Sequence, residues 1–116
     1  MNIGILLRTG PYSYENADVV YHLSKMLLKR GDSVTIFFFE DGIMNLIKDI
    51  KSPQERNISL MMNDLGERGV KLTACGTCAK FRGVNKEAII DKATLSGLAT
   101  LSKIVRESDR FLTFGY

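Results

Sequence analysis

Two cysteines, Cys75 and Cys78, are the only ones in this chain of 116 residues, and two residues separate them in the stretch ACGTCAKFRG. Sulfur reacts as a nucleophile in its ionised form, whereas a free cysteine, with a pKa of about 8.5, is mostly protonated at neutral pH. A helix over residues 76–81 would place Cys75 at its amino end, where unpaired backbone N–H groups favour an anion. The spacing therefore predicts thiol chemistry centred on Cys75.

The residues that follow Cys75 favour the same chemistry. Lys80 and Arg82 bring positive charge, and the quoted stretch contains no carboxylate. Gly76 lets the backbone turn directly after Cys75 and leaves no side chain beside the sulfur. We therefore expect Cys75 to be an ionised and accessible thiol with these two cations nearby. The alternatives are solvated charge for Lys80 and a salt bridge that orders the next turn for Arg82.

Two hypotheses for the cysteine pair involve no sulfur transfer. The first is core filling, because free cysteine is among the most buried residue types. The second is zinc, since C-x-x-C is half of a tetrahedral site. The only histidine, His22, falls in a predicted helix away from the pair, so a metal site would need a second chain or carboxylates. We expect no metal, and we assign His22 no role.

The other two hypotheses use the thiols directly. In a dithiol oxidoreductase, Cys75 and Cys78 form a reversible disulfide near a βαβ unit, although the Gly-Thr dipeptide between them is unspecific. In a sulfur carrier, Cys75 holds a persulfide, and Cys78 resolves or releases the carried sulfur. The chemistry of the residues alone does not separate these two hypotheses.

The first elements that must position the cysteines form a βαβ unit. Residues 3–7 and 34–39 are short, nearly continuous apolar runs, as in parallel strands that are covered on both faces. Between them, apolar residues recur at helical spacing over residues 17–28, and Lys29-Arg30-Gly31 ends the helix.

The rest of the chain continues to alternate helices and strands, which predicts a doubly wound α/β sheet of four or five strands with right-handed crossovers. A third strand delivers Cys75 at its carboxyl end. Residues 84–92 fit a loop, a short helix or an extra strand. The other predicted elements are helices at residues 43–50, 58–65 (ending at Gly66 or Gly69) and 94–107, and strands at residues 70–74 and 111–114.

Three segments follow the predicted strands at one edge of the sheet: residues 9–12, 40–42 and 75–78. Ligands of open parallel sheets bind beyond the carboxyl ends of the strands. Tyr12 and Asp41 are therefore candidate pocket residues, with turn or packing roles as the alternatives.

Composition places the chain among ordinary globular proteins. Hydrophobic residues at 45% and charged residues at 25% fit one folded domain over residues 1–116. The net charge of +3 comes from 16 basic and 13 acidic residues without a block of like charge, so we expect no direct DNA binding. The first residues lack a basic region before their apolar run, and no apolar run approaches about 20 residues, so we expect no signal sequence and a cytoplasmic protein with reduced thiols and no membrane contact.

Apolar side chains raise the question of self-association. Phe37, Phe38 and Phe39 cannot all point toward one layer, and Met44, Met61 and Met62 add apolar surface. Some of this surface either lies between subunits or is buried beneath two helical layers.

Several segments together resemble the DsrE/TusD-like proteins, or DsrE/DsrF-like family, which are small α/β subunits that relay sulfur as a cysteine persulfide in sulfur oxidation or tRNA thiolation. The likeness runs through almost the whole chain in TGPY, LLKRGDSVT, IFFFEDGIMN, LTACGTCAKFRGV and TLSGLATLSKIVRESDRFLTFG. Their order and spacing carry the resemblance.

The resemblance implies a flavodoxin-like three-layer sandwich with a mostly parallel sheet and helices on both faces. It implies that Cys75 accepts the sulfur, because Arg82-Gly83-Val84 follow it seven to nine positions later, and that Cys78 matches the second cysteine of a CGxC variant. It also implies no metal or organic cofactor, protein partners as persulfide donor and acceptor, and a homotrimer, a homohexamer or a mixed complex with related subunits.

The leading hypothesis is therefore a sulfurtransferase-like carrier that passes sulfane sulfur from Cys75 to a partner thiol. Its alternatives are a dithiol oxidoreductase or redox switch and a non-catalytic subunit of a sulfur relay complex. A flavin site is disfavoured, because residues 9–13 lack the run of hydroxyl residues and glycine that would hold a phosphate. The residues expected around the transferred sulfur are Cys78, Gly76, Lys80, Arg82, Tyr12 and Asp41.

Overall fold

The computed structural model describes residues 1–54 and 56–116 of the chain. Five parallel strands form one sheet in the order β4-β3-β2-β1-β5. The strands are β1 (Asn2–Leu7), β2 (Ser33–Phe38), β3 (Lys71–Cys75), β4 (Ala93–Ser96) and β5 (Arg110–Phe114). The α-helices are α1 (Asn16–Arg30), α2 (Ile58–Glu67), α3 (Gly76–Phe81) and α4 (Leu98–Glu107), and two 3-10 helices span Glu40–Leu46 and Lys86–Ala88.

The central βαβ unit forms as the hydrophobic pattern predicts. Ile3, Ile5 and Leu7 alternate along β1 and are buried, so this side of the strand faces the core. Helix α1 ends at Gly31, whose φ of 98° is left-handed and whose N–H bonds to the carbonyl oxygens of Leu27 and Leu28. These features fix the first crossover, which returns the chain to a strand parallel to β1.

The helices lie on opposite faces of the sheet. Connections from β1 to β4 step in one direction across the sheet, and the connection from β4 to β5 returns across it. With right-handed crossovers this order places α4 on the face opposite α1 and α2, which contact each other. In the part of the chain that the structure describes, no helix combines the length and the apolar composition that a membrane crossing requires.

The face that carries α4 is thinly covered. No residue of α4 is buried, and Leu98 and Val105 on this helix are 59% and 47% exposed. By contrast, Phe37, Phe38 and Met62 are fully buried, so the ordinary core accounts for them and they supply no surface between subunits. Phe39, Met44 and Met61 pack against the same core.

The predicted fold class is confirmed, with all five strands parallel, but one helix boundary is wrong. Residues 94–96, predicted as the start of a helix, belong to β4, which pairs with residues 72–75 of β3. Alternation of Thr94, Leu95 and Ser96 suits a strand, and Gly97 then separates the strand from α4. Helical spacing among the later apolar residues concealed this short edge strand.

Of two less regular segments, the first differs from the expectation and the second takes one of the forms left open for it. The helix expected at residues 43–50 is a 3-10 helix that begins at Glu40 and ends at Leu46. Residues 84–92 contain the short 3-10 helix Lys86–Ala88 and an isolated bridge from Ile89 to Ile47. Long-range pairing of this kind has no local signal in the sequence.

Asp64 on α2 ties the two helices of one layer together. Its carboxylate accepts the Tyr21 hydroxyl of α1 at 2.7 Å and Arg68 Nε at 2.9 Å. These contacts hold the pKa of the Asp64 carboxyl below its usual value, and the hydrogen bond from the Tyr21 hydroxyl has the largest effect.

We expect Asp64→Asn to weaken the acid dependence of stability. Because the folded-state pKa is lowered, the contribution is complete above the unfolded value of about 4 and is lost as pH falls through the folded value. Urea unfolding at about pH 7 should show a loss of roughly 0.5–1 kcal/mol for this partly exposed group, and the difference from wild type should vanish at about pH 2. A constant difference over that range would contradict the prediction.

Candidate functional site

Cys75 lies where β3 ends and α3 begins, as predicted. It is the N-cap residue of α3, and its Sγ accepts the backbone N–H of Cys78 at 3.3 Å. An N–H donor at this distance stabilises negative charge on sulfur. The strand-to-helix junction expected from the sequence is therefore present at Cys75.

Cys78 receives a donor from a different part of the sheet edge. Its Sγ accepts the backbone N–H of Glu40 at 3.3 Å. Glu40 has a φ of 53°, a left-handed conformation that costs a non-glycine residue on the order of 1 kcal/mol. Arg8 Nε bonds to Glu40 Oε1 at 2.5 Å. The ion pair with Arg8, which directly follows β1, thus accompanies the unusual backbone conformation that directs the Glu40 N–H toward Cys78.

Arg82 connects the turn after β2 to α3. Its Nε donates to Asp41 Oδ1 at 2.8 Å, and its Nη1 donates to the carbonyl oxygen of Cys78 at 3.1 Å. The Asp41 carboxylate raises the pKa of the Arg82 guanidinium above its usual value. The salt-bridge alternative for Arg82 is thus what the structure contains, directly before Gly83 with its φ of 67°.

Burial of the two sulfurs differs from the expectation of an accessible thiol. Cys75 is 3% exposed and Cys78 is 8% exposed, and both belong to the hydrophobic core cluster. Gly76 frees space beside the backbone, but it does not open the sulfur of Cys75 to solvent in the single chain. Any reagent must therefore approach through a narrow opening or a small local movement.

Burial also sets the protonation of Cys78. Burial away from solvent is the largest effect and raises the pKa of the Cys78 thiol, and the hydrogen bond with Cys75 raises it further. The Glu40 N–H and Arg82 lower this pKa by smaller amounts. Cys78 is therefore held as a neutral thiol at neutral pH beside the sulfur of Cys75.

Tyr12 holds a loop rather than facing the cysteines. It has a φ of 74°, its hydroxyl donates to the carbonyl oxygen of Arg56 at 3.0 Å, and it accepts the N–H of Ile58 at 3.2 Å. With Asp41 it lines a cavity of about 400 Å³ beyond β1 and β2. The loop role considered for Tyr12 is thus present together with a place in a pocket wall.

Gly76 and Lys80 line a second cavity, of about 430 Å³, beyond β3 and β4. The predicted site residues therefore line two separate cavities, with Tyr12 and Asp41 in the first and Gly76 and Lys80 in the second. The Asp41–Arg82 ion pair connects the wall of the first cavity to the end of α3, the helix that begins directly after Cys75. Within residues 1–54 and 56–116, no group of three or more His, Cys, Asp or Glu side chains is arranged to hold a metal.

Sequence reasoning did not single out Glu40, Arg8 or Asn45. Buried Asn45 donates from Nδ2 to the carbonyl oxygens of Thr9 and Gly42, each at 2.8 Å, and so joins the turns after β1 and β2. The available signal was the position of Glu40 directly after a strand, because that position brings its backbone to the functional edge.

Known proteins are similar to this chain in sequence and in fold. A model of the DsrE/DsrF-like family matches residues 1–114. An uncharacterised protein of Methanopyrus kandleri is 32% identical, with 97% of this chain and 93% of that protein covered. Sulfurtransferase TusD of Buchnera aphidicola subsp. Acyrthosiphon pisum is 29% identical, with coverage of 98% and 100%. The crystal structure of the YchN protein from E. coli matches the fold with a TM-score of 0.91 at 24% identity, covering 98% of this chain and 99% of that one.

Proposed function

The chain belongs to the DsrE/DsrF-like family, and on that premise we propose that it is a sulfur carrier that accepts sulfane sulfur on Cys75 and passes it to the thiol of a partner protein. The observation that carries the assignment to Cys75 is the N–H of Cys78 bound to its sulfur at the start of α3. A relative named as a sulfurtransferase supports the same class of chemistry.

Loading of the carrier is an exchange at sulfur. The Cys75 thiolate attacks the outer sulfur of a donor persulfide, R–S–SH, and a new bond joins Cys75 Sγ to that sulfur. The bond between the two donor sulfurs breaks, and R–S⁻ leaves with the electron pair. The product is a Cys75 persulfide, and no external oxidant is consumed.

Unloading repeats the exchange with the roles reversed. The thiolate of the partner attacks the outer sulfur of the Cys75 persulfide, and Cys75 leaves as the thiolate that its N–H donor stabilises. The neutral thiol of Cys78 lies beside this leaving group. Whether the sulfur enters oxidation or tRNA thiolation depends on which partner supplies the acceptor.

Assembly with other subunits is part of the proposal. Leu98 and Val105 of α4 are exposed apolar residues on a thinly covered face, and Leu112 of the edge strand β5 is a partly exposed apolar residue on the opposite face of the sheet. A homotrimer, a homohexamer or a complex with related subunits would cover such residues. Reduced, transferable thiols of this kind fit a cytoplasmic protein.

A dithiol oxidoreductase is the second candidate, because the sulfurs of Cys75 and Cys78 are neighbours in a buried hydrogen-bonded pair. In this case Cys78 attacks a mixed disulfide on Cys75, forms the Cys75–Cys78 disulfide and expels the thiolate of the substrate. Both cysteines are then required for activity.

Intact-protein mass after exposure to a persulfide donor separates the candidates. We expect wild type and Cys78→Ser both to gain one sulfur atom, which a reductant then removes. Loss of two hydrogens from wild type without added sulfur would instead identify the dithiol reaction. No mass change in either protein would favour a non-catalytic subunit and reject the carrier.

A further inference from the structure

A crevice of about 430 Å³ lies between the carboxyl ends of β3 and β4. These strands are parallel neighbours, and Cys75 lies opposite Ser96 in their register. The chain leaves β3 into α3 and β4 into α4, and the strand order sends these connections to opposite faces of the sheet. Strand order reverses at this point, which is where open α/β sheets bind ligands.

The walls of the crevice combine apolar carbon with positive charge. Val84 and Leu95 provide the apolar part, and Lys80 and Lys86 provide the cations. Lys86 Nζ donates to the carbonyl oxygen of Ala93 at 2.7 Å, which holds it beside β4. Counting only residues 1–54 and 56–116, neither lysine takes part in an ion pair, so both charges can serve a bound anion.

Carboxylates of the neighbouring turn do not cancel this charge. Glu40 pairs with Arg8, and Asp41 pairs with Arg82. No carboxylate residue is among those that line the crevice in the described chain. The crevice therefore favours a ligand with negative charge.

We propose that this crevice binds the sulfur donor, and that the donor is a small organic persulfide bearing carboxylate groups. The inference rests on the proposed carrier function. Gly76 lines the crevice and is the residue directly after Cys75, so a ligand held there lies at the start of α3. The volume lies within the range of roughly 300–1,000 Å³ typical of small-ligand sites.

Burial of Cys75 is the reason for choosing a small donor over a folded one. With the residue 3% exposed, a slim molecule reaches the sulfur after a smaller movement than a folded donor would need. Unloading is less restricted, because the outer sulfur of the Cys75 persulfide lies one S–S bond, about 2 Å, beyond Sγ, where the thiol of a partner protein can meet it. In the bound state the carboxylates contact Lys80 and Lys86. Cys75 then bonds to the outer sulfur of the donor, the S–S bond of the donor breaks, and R–S⁻ leaves with its electron pair.

Charge selectivity of thiol–disulfide exchange tests the crevice. In the Cys78→Ser background, Cys75 is treated with dianionic dithiobis(nitrobenzoate), neutral dithiodipyridine and dicationic cystamine, and mixed-disulfide formation is followed by quenched intact mass. Each rate constant is divided by that of N-acetylcysteine amide, a thiol with no other charged group, with the same probe. We expect the normalised rate to be about tenfold higher for the dianion than for the neutral probe, and lowest for the dication.

Matched lysine variants locate the effect. The double variant Lys80→Gln/Lys86→Gln should react about 3- to 10-fold more slowly with the dianionic probe and at an unchanged rate with the neutral probe. Lys86→Arg should retain the preference. Lys29→Gln removes the same charge from the last turn of α1, outside the crevice, and should also retain it.

Two results would overturn the inference: equal normalised rates for the three probes, or equal slowing of all three in the double variant. Sulfur uptake with no charge selectivity removes the crevice proposal alone. Charge selectivity without sulfur uptake from a persulfide removes the carrier function.

Discussion

Cys75→Ser is expected to abolish sulfur acceptance, with the rate of persulfide formation reduced at least about 100-fold. A serine hydroxyl keeps the hydrogen bond from the Cys78 N–H but is not ionised at neutral pH and forms no stable bond to sulfane sulfur. The measurement is the gain of one sulfur atom by intact mass, followed by peptide mapping of the modified residue.

Cys78→Ser is the matched control, because it makes the same chemical change one helical turn away. It should still accept sulfur on Cys75, while its hydroxyl can accept the N–H of Glu40. Circular dichroism and urea unfolding of both variants separate lost chemistry from lost structure. If Cys75→Ser gained a sulfur atom on Cys78 at the wild-type rate, Cys78 would be the acceptor and the assignment would be wrong.

Gly42→Ala is expected to lower the free energy of unfolding by about 3 kcal/mol or more. A Cβ at this position would lie 2.0 Å from the carbonyl oxygen of Leu7 and 2.8 Å from its carbonyl carbon. Leu7 ends β1, which lies between β2 and β5, and the same oxygen accepts the N–H of Phe39 at 2.9 Å. Because both contacts are with backbone of the sheet, the 3-10 helix must move away.

Urea unfolding measures this loss, and Gly10→Ala is the control. A Cβ at Gly10 would meet its nearest atom, the carbonyl oxygen of Asp41, at 3.4 Å, so we expect a change within about 1 kcal/mol. Movement of the turn also shifts the Glu40 N–H away from Cys78, which should alter the alkylation rate of Cys78. Equal stabilities for Gly42→Ala and Gly10→Ala would show that the turn yields without cost.

The central part of the fold could be predicted from the sequence because its signals are local. The apolar runs of β1 and β2 and the glycine stop of α1 require no knowledge of distant residues. Strand β4 was missed because it has four residues with two hydroxyl side chains, and only its pairing with β3 identifies it. Short edge strands depend on tertiary pairing more than on their own pattern.

The site was predicted in part for the same reason. Placement of Cys75 before a helix follows from adjacent residues, and the structure has it there. The contact of Arg8 with Glu40 and that of Glu40 with Cys78 join residues far apart in the chain, and the left-handed backbone of Glu40 has no sequence signal. Burial of Cys75 likewise arises from packing among several elements.

The backbone donors on the two sulfurs also set a redox preference. Cys75 accepts one N–H and Cys78 accepts another from Glu40. Sulfur in a disulfide is a poorer acceptor, so oxidation of the pair weakens both bonds inside a largely dry environment, at about 1 kcal/mol each. Each kcal/mol raises the reduction potential of the couple by roughly 20 mV. The fold therefore biases this pair toward the dithiol, the form that is ready to be loaded.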